Sequence, residues 1–194
     1  MGEGLHVDEP RVLMVDDEKQ VADAYALRLQ DVADVTVAYG GDEALAIVAE
    51  GRPPDVVLLD RHMPGLSGDS VLDELRERDL TTRVIMVTAI DPGFGIADMP
   101  FDDYLCKPIA KEDLFAAVDQ QLDAASYDDP LTEFFSLTAK LAVLESERSP
   151  EQLEAASEYV RMRRRSDELR EELAVSTENF EEMVETFTAI SRGG

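Results

Sequence analysis

The stretch from residue 56 to residue 65 constrains the fold of this chain more than any other. It opens with four apolar residues, two of them β-branched, which is typical of a short buried parallel strand. The run ends on Asp60, and Pro64-Gly65 then turn the chain. A carboxylate at the C-terminal end of a central strand lies where open α/β sheets bind ligands. A single acid there is more often a solvated loop residue, so the interpretation depends on the other strands.

Other short apolar runs also end on polar side chains. Residues 12–15 lead to Asp16 and Asp17, residues 84–87 lead to Thr88, and residues 104–106 lead to Lys107 and Pro108. The C-terminal ends of parallel strands meet at one edge of a sheet. The runs therefore predict one polar site, in which acids, a hydroxyl and an amine lie together.

Amphipathic segments separate these runs. Residues 35–38 form a further strand, and we expect Asp42 and Ser67 to cap the helices that follow them. Strands and helices that alternate in this way connect by right-handed crossovers. The fold class predicted is α/β, with a doubly wound parallel sheet.

Residues 11 to about 125 resemble the receiver domain of two-component response regulators. Its motifs occur here in order: the pair Asp16-Asp17, Asp60 in D-x-x-M-P-G, Thr88, and Lys107-Pro108 with Tyr104 before it. The resemblance implies five parallel strands in the order 2-1-3-4-5. It also implies a phosphoacceptor switch, not an enzyme, with a histidine kinase as partner.

The resemblance also implies a role for each site residue. Asp60 is expected to accept the phosphoryl group, and Mg²⁺ to be held by Asp16, Asp17, Asp60 and the backbone carbonyl of His62. These oxygen ligands suit a hard cation that keeps several waters.

Other site residues are expected to respond to the phosphoryl group. Lys107 and Thr88 would contact its oxygens, the bond before Pro108 would be cis, and Tyr104 would either turn inward or simply pack. The His62 side chain would tune hydrolysis or be inert. Arg61 is expected to face solvent.

One departure from the family lies between Thr88 and Lys107, which are 19 positions apart, a few fewer than in most receivers. The stretch 91–95 contains one proline and two glycines, all poor helix formers. The fourth helix is therefore predicted to be short or irregular.

Beyond a linker at residues 126–130, the chain is predicted to be helical. Phe134, Leu137, Leu141 and Leu144 share one helix face, and Ser149-Pro150 with Gln152 form a capping-box pattern. Apolar residues from 159 to 190 keep a seven-residue register, with a break allowed near Ser176. This stripe can be buried if the helices fold back or if two chains pair. We expect a homodimer through the C-terminal helix.

This tail resembles the HalX domain attached to receivers in halophilic archaea. The predicted division of the chain is a flexible N-terminus at 1–10, a receiver at 11–126 and a HalX-like domain at 127–194. Arg161, Arg163, Arg164 and Arg165 form the one basic cluster. It either binds nucleic acid or an acidic partner, or forms a solvated helix face that pairs with Glu158, Glu168 and other nearby acids. The second reading is favoured.

The net charge of the chain is −25, from 43 acidic and 18 basic residues. Such a surface argues against general binding to nucleic acid or anionic membrane. It suits concentrated salt, which screens repulsion among acids, so a halophilic source is predicted. The single cysteine, Cys106, excludes an internal disulfide and is expected to be a buried thiol. No stretch is long and apolar enough for a membrane span, and no signal peptide is evident, so we predict a cytoplasmic protein.

The function predicted from the sequence is a response regulator that signals by association through its helical tail. The alternative is a transcriptional regulator that binds DNA through that tail. A histidine kinase fragment is excluded, because the two histidines, His6 and His62, leave the tail without a phosphotransfer histidine.

Overall fold

The computed structural model describes residues 9–78, 80–89, 93–190 and 192, so most of the N-terminal segment predicted to be flexible lies outside it. Within these residues, five parallel strands form one sheet in the order β2-β1-β3-β4-β5. The strands are β1 Arg11–Val15, β2 Asp34–Ala38, β3 Val56–Asp60, β4 Arg83–Thr88 and β5 Asp103–Cys106. The predicted fold class and strand order are confirmed. β3 is the central strand and all of it is buried, so Asp60, its last residue, lies at the middle of the C-terminal edge of the sheet.

Four helices cover the two faces of the sheet. They are α1 Lys19–Leu29, α2 Gly41–Glu50, α3 Gly68–Glu77 and α4 Lys111–Ala124. Ser67 caps α3 as predicted, because its side chain accepts a hydrogen bond from the Ser70 N–H at 3.2 Å. The predicted cap at Asp42 is wrong: α2 begins at Gly41 after Gly40, and Asp42 lies in the first turn. There its charge still favours the positive end of the helix dipole.

The connection between β4 and β5 carries no α-helix among its described residues. It contains a 3-10 helix at Phe94–Asp98, which confirms the prediction of a short or irregular element. Of the three predicted helix breakers, Pro92 lies outside the described residues.

The C-terminal part forms four helices: α5 Asp129–Glu147, α6 Pro150–Ala155, α7 Ser157–Ser176 and α8 Phe180–Thr188. The predicted capping box at Ser149 and Gln152 begins α6. The seven-residue register suggested one long helix, but the helix breaks at Ala156, where the backbone is extended. The break allowed near Ser176 is present, because Thr177 is extended and Asn179 is left-handed with φ 60°.

These breaks let the apolar stripe fold back on the same chain. The ring of Phe180 in α8 lies 5.1 Å from that of Phe134 in α5, and the ring of Phe187 lies 4.6 Å from that of Phe135. The predicted homodimer assumed that Phe180, Met183, Phe187 and Ile190 stay exposed. That premise is wrong, because the side chains of Phe180, Phe187 and Ile190 are buried and that of Met183 is half-buried. The homodimer itself stays a prediction without this support.

The helical tail packs on the receiver-like part instead of standing apart from it. Residues 125–128 are all that separate α4 from α5, so Asp129-Pro130, predicted as linker, are already helical. Leu141 and Leu144 of α5 join one buried cluster with Met86 and Tyr104 of the sheet. Lys140 Nζ donates to the Met99 carbonyl at 2.7 Å, at the end of the 3-10 helix. The tail thus covers the place left by the shortened fourth helix, while the predicted division at residue 126 stays a prediction.

Candidate functional site

The strand ends bring the predicted polar residues to one edge of the sheet. Asp60 closes β3, Asp16 and Asp17 follow β1, and Thr88 closes β4. Carboxylate oxygens of the three acids lie within 4.8 Å of one another. Asp16 is fully buried, Asp60 is 6% exposed and Asp17 is half-buried. The parallel register requires this convergence, because Leu59 lies opposite both Val15 and Met86 on the neighbouring strands.

Lys107 reaches into this acid cluster from the end of β5. Its Nζ lies 2.6 Å from Asp16 Oδ2 and 3.5 Å from Asp60 Oδ1. The Lys107-Pro108 peptide bond is cis, and the Lys107 N–H donates to the Thr88 carbonyl at 2.8 Å. The ammonium is therefore held between the two buried carboxylates.

The electrostatics of the site favour a further cation. Burial raises the pKa of Asp60, and Lys107 only partly opposes this. Burial works against the charge of Lys107, but its hydrogen bond to Asp16 and the charges of Asp60 and Asp16 together raise its pKa. Three carboxylates face one ammonium, so an excess of negative charge remains when all are ionised. Clustered hard oxygens of this kind fit Mg²⁺.

Thr88 and His62 lie beside the cluster. Thr88 Oγ1 is 3.5 Å from His62 Nδ1, a long contact, and the Thr88 side chain is buried while His62 is exposed. The predicted role of the His62 backbone carbonyl as a metal ligand stays a prediction.

Arg61, expected to face solvent, is instead half-buried. Its guanidinium pairs with Asp69, with Nε 3.0 Å from Oδ1, and also hydrogen-bonds the Tyr104 side chain. Asp69 lies in the first turn of α3, where it can meet the chain leaving β3. The prediction for Arg61 was wrong because it treated the residue as part of an open loop.

Tyr104 is fully buried, with its ring 5.6 Å from that of Phe101. Burial raises the pKa of its hydroxyl, against the influence of Arg61. Its side chain is thus inward in this structure. Its part in a switch stays a prediction. Cys106, expected to be buried, is half-buried.

The basic cluster pairs with acids of the same chain. Arg163 Nη1 lies 2.9 Å from Glu145, Arg164 Nε lies 3.0 Å from Glu168, and Arg165 contacts both carboxylate oxygens of Glu133 at 2.8 and 2.7 Å. This agrees with the reading of a solvated helix face.

A second buried ion pair was not foreseen. The Arg192 guanidinium meets both Asp103 carboxylate oxygens, at 2.6 and 2.9 Å, with both side chains almost fully buried. An acid at the start of an apolar strand was the signal, since a buried acid needs a partner.

No helix in the described part of the chain is both long and apolar enough to cross a membrane.

Comparison with known proteins adds the family. The response regulator receiver domain family matches residues 12–119, and the HalX domain family matches residues 123–190. A relative from Haloferax volcanii named "Putative transcriptional regulator" is 39% identical over 175 residues, which are 89% of this chain and 29% of the relative. The chain thus spans less than a third of that relative's length.

Solved receiver structures share the fold of the first part. The Francisella response regulator 1452 receiver domain is 32% identical, with a TM-score of 0.56 over 60% of this chain and 99% of that chain. The Thermotoga maritima response regulator TrrA, in complex with Mg²⁺ and BeF, is 31% identical, with a TM-score of 0.53 over 58% of this chain and 99% of that chain. The chain belongs to the response regulator receiver family and carries a HalX domain after the receiver, which makes it a two-component response regulator.

Proposed function

We propose that the chain accepts a phosphoryl group on Asp60 from a histidine kinase in the cytoplasm and signals through its HalX domain. The observation that carries this proposal is the convergence of Asp16, Asp17 and Asp60 within 4.8 Å, with Lys107 Nζ between two of them. A carboxylate nucleophile, a place for a divalent cation and an ammonium near the phosphoryl oxygens are what phosphoryl transfer to an acid requires.

The chemistry assigns one task to each residue. A carboxylate oxygen of Asp60 attacks the phosphorus, a new P–O bond forms, and the bond to the donor breaks with its electron pair leaving on the donor. Asp16, Asp17, Asp60 and the His62 carbonyl would hold Mg²⁺, which neutralises charge on the phosphoryl oxygens. Lys107 would move from Asp16 toward these oxygens, and Thr88 would donate a hydrogen bond to one of them. Hydrolysis of the acyl phosphate restores Asp60, so the chain is a switch with self-catalysed steps.

The signal would reach the tail through β5. Tyr104 belongs to the same buried cluster as Leu141 and Leu144 of α5, so a shift of its ring would press on the HalX domain. The output would be association of that domain with a partner or with a second copy. Light scattering on the phosphorylated and unphosphorylated chain distinguishes these two outcomes.

A second candidate output is regulation of transcription, which the name of the Haloferax volcanii relative favours. The paired arginines of α7 and the net charge of −25 argue against direct DNA contact by this segment. A binding assay on random DNA at matched high salt tests it.

The proposal is tested with a small phosphodonor and intact-mass measurement. The parent chain should gain one phosphoryl group with Mg²⁺ and none with a chelator. Asp60→Asn should gain none, whereas Asp42→Asn, which changes an exposed acid in α2, should behave as the parent. Equal labelling of Asp60→Asn and the parent would reject the site.

A further inference from the structure

Beyond α8, Ile190 and Arg192 lie against the edge strand of the receiver. The Arg192 side chain is 2% exposed and that of Asp103 is fully buried. The guanidinium also donates to the Phe187 carbonyl at 2.7 Å and lies 3.9 Å from the centre of the Phe187 ring. Ile190 joins the buried cluster that includes Leu105 of β5. This arginine is therefore held between α8 and the receiver sheet.

Arg192 also closes the outer side of β5. Because β5 is the last strand of the sheet, alternate N–H groups point away from β4 and need other partners. The Tyr104 N–H donates to Asp103 Oδ1 at 2.8 Å, the same oxygen that accepts from Arg192 Nε. The Cys106 N–H donates to the Arg192 carbonyl at 3.1 Å. The Cys106 N–H is thus bonded to Arg192 directly, and the Tyr104 N–H is linked to Arg192 through Asp103.

The strand held in this way carries one residue of the predicted site and leads directly to another. Tyr104 lies between Asp103 and Cys106, the two residues of the strand that contact Arg192, and Lys107 directly follows Cys106. Lys107 Nζ must lie within hydrogen-bond distance of whichever oxygens it serves, and here it contacts Asp16 at 2.6 Å. A small displacement of a group that positions reacting atoms can lower a rate by about 100-fold. A loosened β5 would therefore act on Lys107 before it acted on any other site residue.

We propose that Arg192 is a positioning residue for phosphoryl transfer to Asp60, acting through β5 on Lys107; this rests on the function proposed above. The tail is then part of the machinery that sets the rate of phosphorylation as well as the element that reads it.

The test measures the rate of phosphorylation of the full chain across a range of phosphodonor concentrations. Arg192→Met should lower the maximal rate about tenfold and leave the half-saturating donor concentration unchanged, because Lys107 acts on the transferring group. Arg192→Lys keeps one ion pair with Asp103, so it should recover part of the rate. It also serves as the folded variant if Arg192→Met does not fold.

Two further variants separate positioning from general loosening. Phe180→Leu weakens the packing of α8 on α5 without touching β5, so its maximal rate should equal that of the parent. The double variant Asp103→Asn/Arg192→Met removes both charges and should be no slower than Arg192→Met alone, since the two residues act as one unit. Hydrogen exchange of the Cys106 and Lys107 amides should be faster in Arg192→Met and Arg192→Lys than in Phe180→Leu.

Each outcome decides the proposal. Parent-like rates for both Arg192 variants would overturn it while leaving Asp60 as the phosphoacceptor. An equal loss of rate in Phe180→Leu would assign the effect to general stability and overturn it too. A parent chain that takes no phosphate, with Asp60→Asn equally inert, would reject the proposed function and this inference together.

Discussion

Two buried ion pairs lie at the two ends of β5, and they are built in opposite ways. At the C-terminal end, Lys107 Nζ lies 2.6 Å from Asp16 and 3.5 Å from Asp60, and its side chain is 11% exposed. At the start of the strand, Arg192 Nε lies 2.6 Å from Asp103, and its side chain is 2% exposed. The shortest contact is the same in both, but the surroundings differ.

The difference lies in how completely each charge is satisfied. One ammonium serves two carboxylates with a third nearby, so its partners are in excess and can be exchanged. The guanidinium meets one carboxylate through two nitrogens, and its other donors meet the carbonyls of Phe187 and Ile190 and the side-chain oxygen of Gln120. Arginine suits a fixed planar contact, and lysine suits a point charge that moves. We call Arg192–Asp103 the closed pair, and Lys107 with Asp16 and Asp60 the open pair. The closed pair can hold the strand while the open pair at its other end changes partners.

The largest expected effect is on stability, at the closed pair. Arg192→Met leaves Asp103 buried without its partner, which should lower the free energy of unfolding by about 3–5 kcal/mol. The control is Arg164→Met, which removes an exposed pair with Glu168 and should cost at most about 1 kcal/mol. Urea unfolding of both variants measures the difference. Equal, small losses would mean that burial does not distinguish this pair from a surface pair.

The next effect is on chemistry, at the open pair. Lys107→Met removes the ammonium that would serve the phosphoryl oxygens, so phosphorylation by a small phosphodonor should slow by about 100-fold. The matched control is Lys111→Met, which changes an exposed lysine at the start of α4. Initial rates from intact mass provide the comparison. Parent-like phosphorylation of Lys107→Met would show that the open pair has no part in the transfer.

The smallest effect is on thermal stability and depends on pH. It arises because carboxylates outnumber the ammonium group at the open pair. Burial raises the pKa of Asp60, so its ionised form is less favourable in the folded chain than in the unfolded chain. Its stabilising contribution is complete below about pH 4, the ordinary value, and is lost as the pH rises through the raised pKa. Asp60→Asn avoids that loss and should melt above the parent at pH 7 without Mg²⁺.

The advantage of Asp60→Asn should shrink toward pH 4 and also when Mg²⁺ is added, since the cation offsets the acid excess in the parent. Thermal unfolding at several pH values in a chelator measures this. A variant that melts below the parent at pH 7 in the chelator would contradict the assigned direction of the shift.

The sequence predicted the sheet and the residues at its polar edge because that information is local. Each apolar run ends directly on its polar residue, and parallel pairing alone brings Asp16, Asp60, Thr88 and Lys107 to the same edge. Arg61 was misjudged because its partner, Asp69, lies across a turn closed by the Gly68 N–H bond to the Arg61 carbonyl. A prediction that treats Arg61 as part of an open loop does not include such a contact.

The tail was predicted less well because a repeating apolar pattern fixes a helix face but not its partner. The same stripe suits a dimer or a folded-back helix, and the choice depends on breaks at Ala156 and Asn179. Arg192 lay after the last periodic residue, so no pattern included it. Its partner is 89 positions away in the sequence, and the fold alone brings them together.

The most direct test of Asp60 as the phosphoacceptor is to identify the modified residue. The chain is treated with a small phosphodonor and Mg²⁺, and the acyl phosphate is then reduced with borohydride, which converts a phosphorylated aspartate to homoserine. Peptide mass spectrometry should find homoserine at position 60, and nowhere in a sample prepared with a chelator. Homoserine at position 16 or 17, or a label that does not need Mg²⁺, would contradict the assignment of Asp60 as nucleophile and of its neighbours as metal ligands.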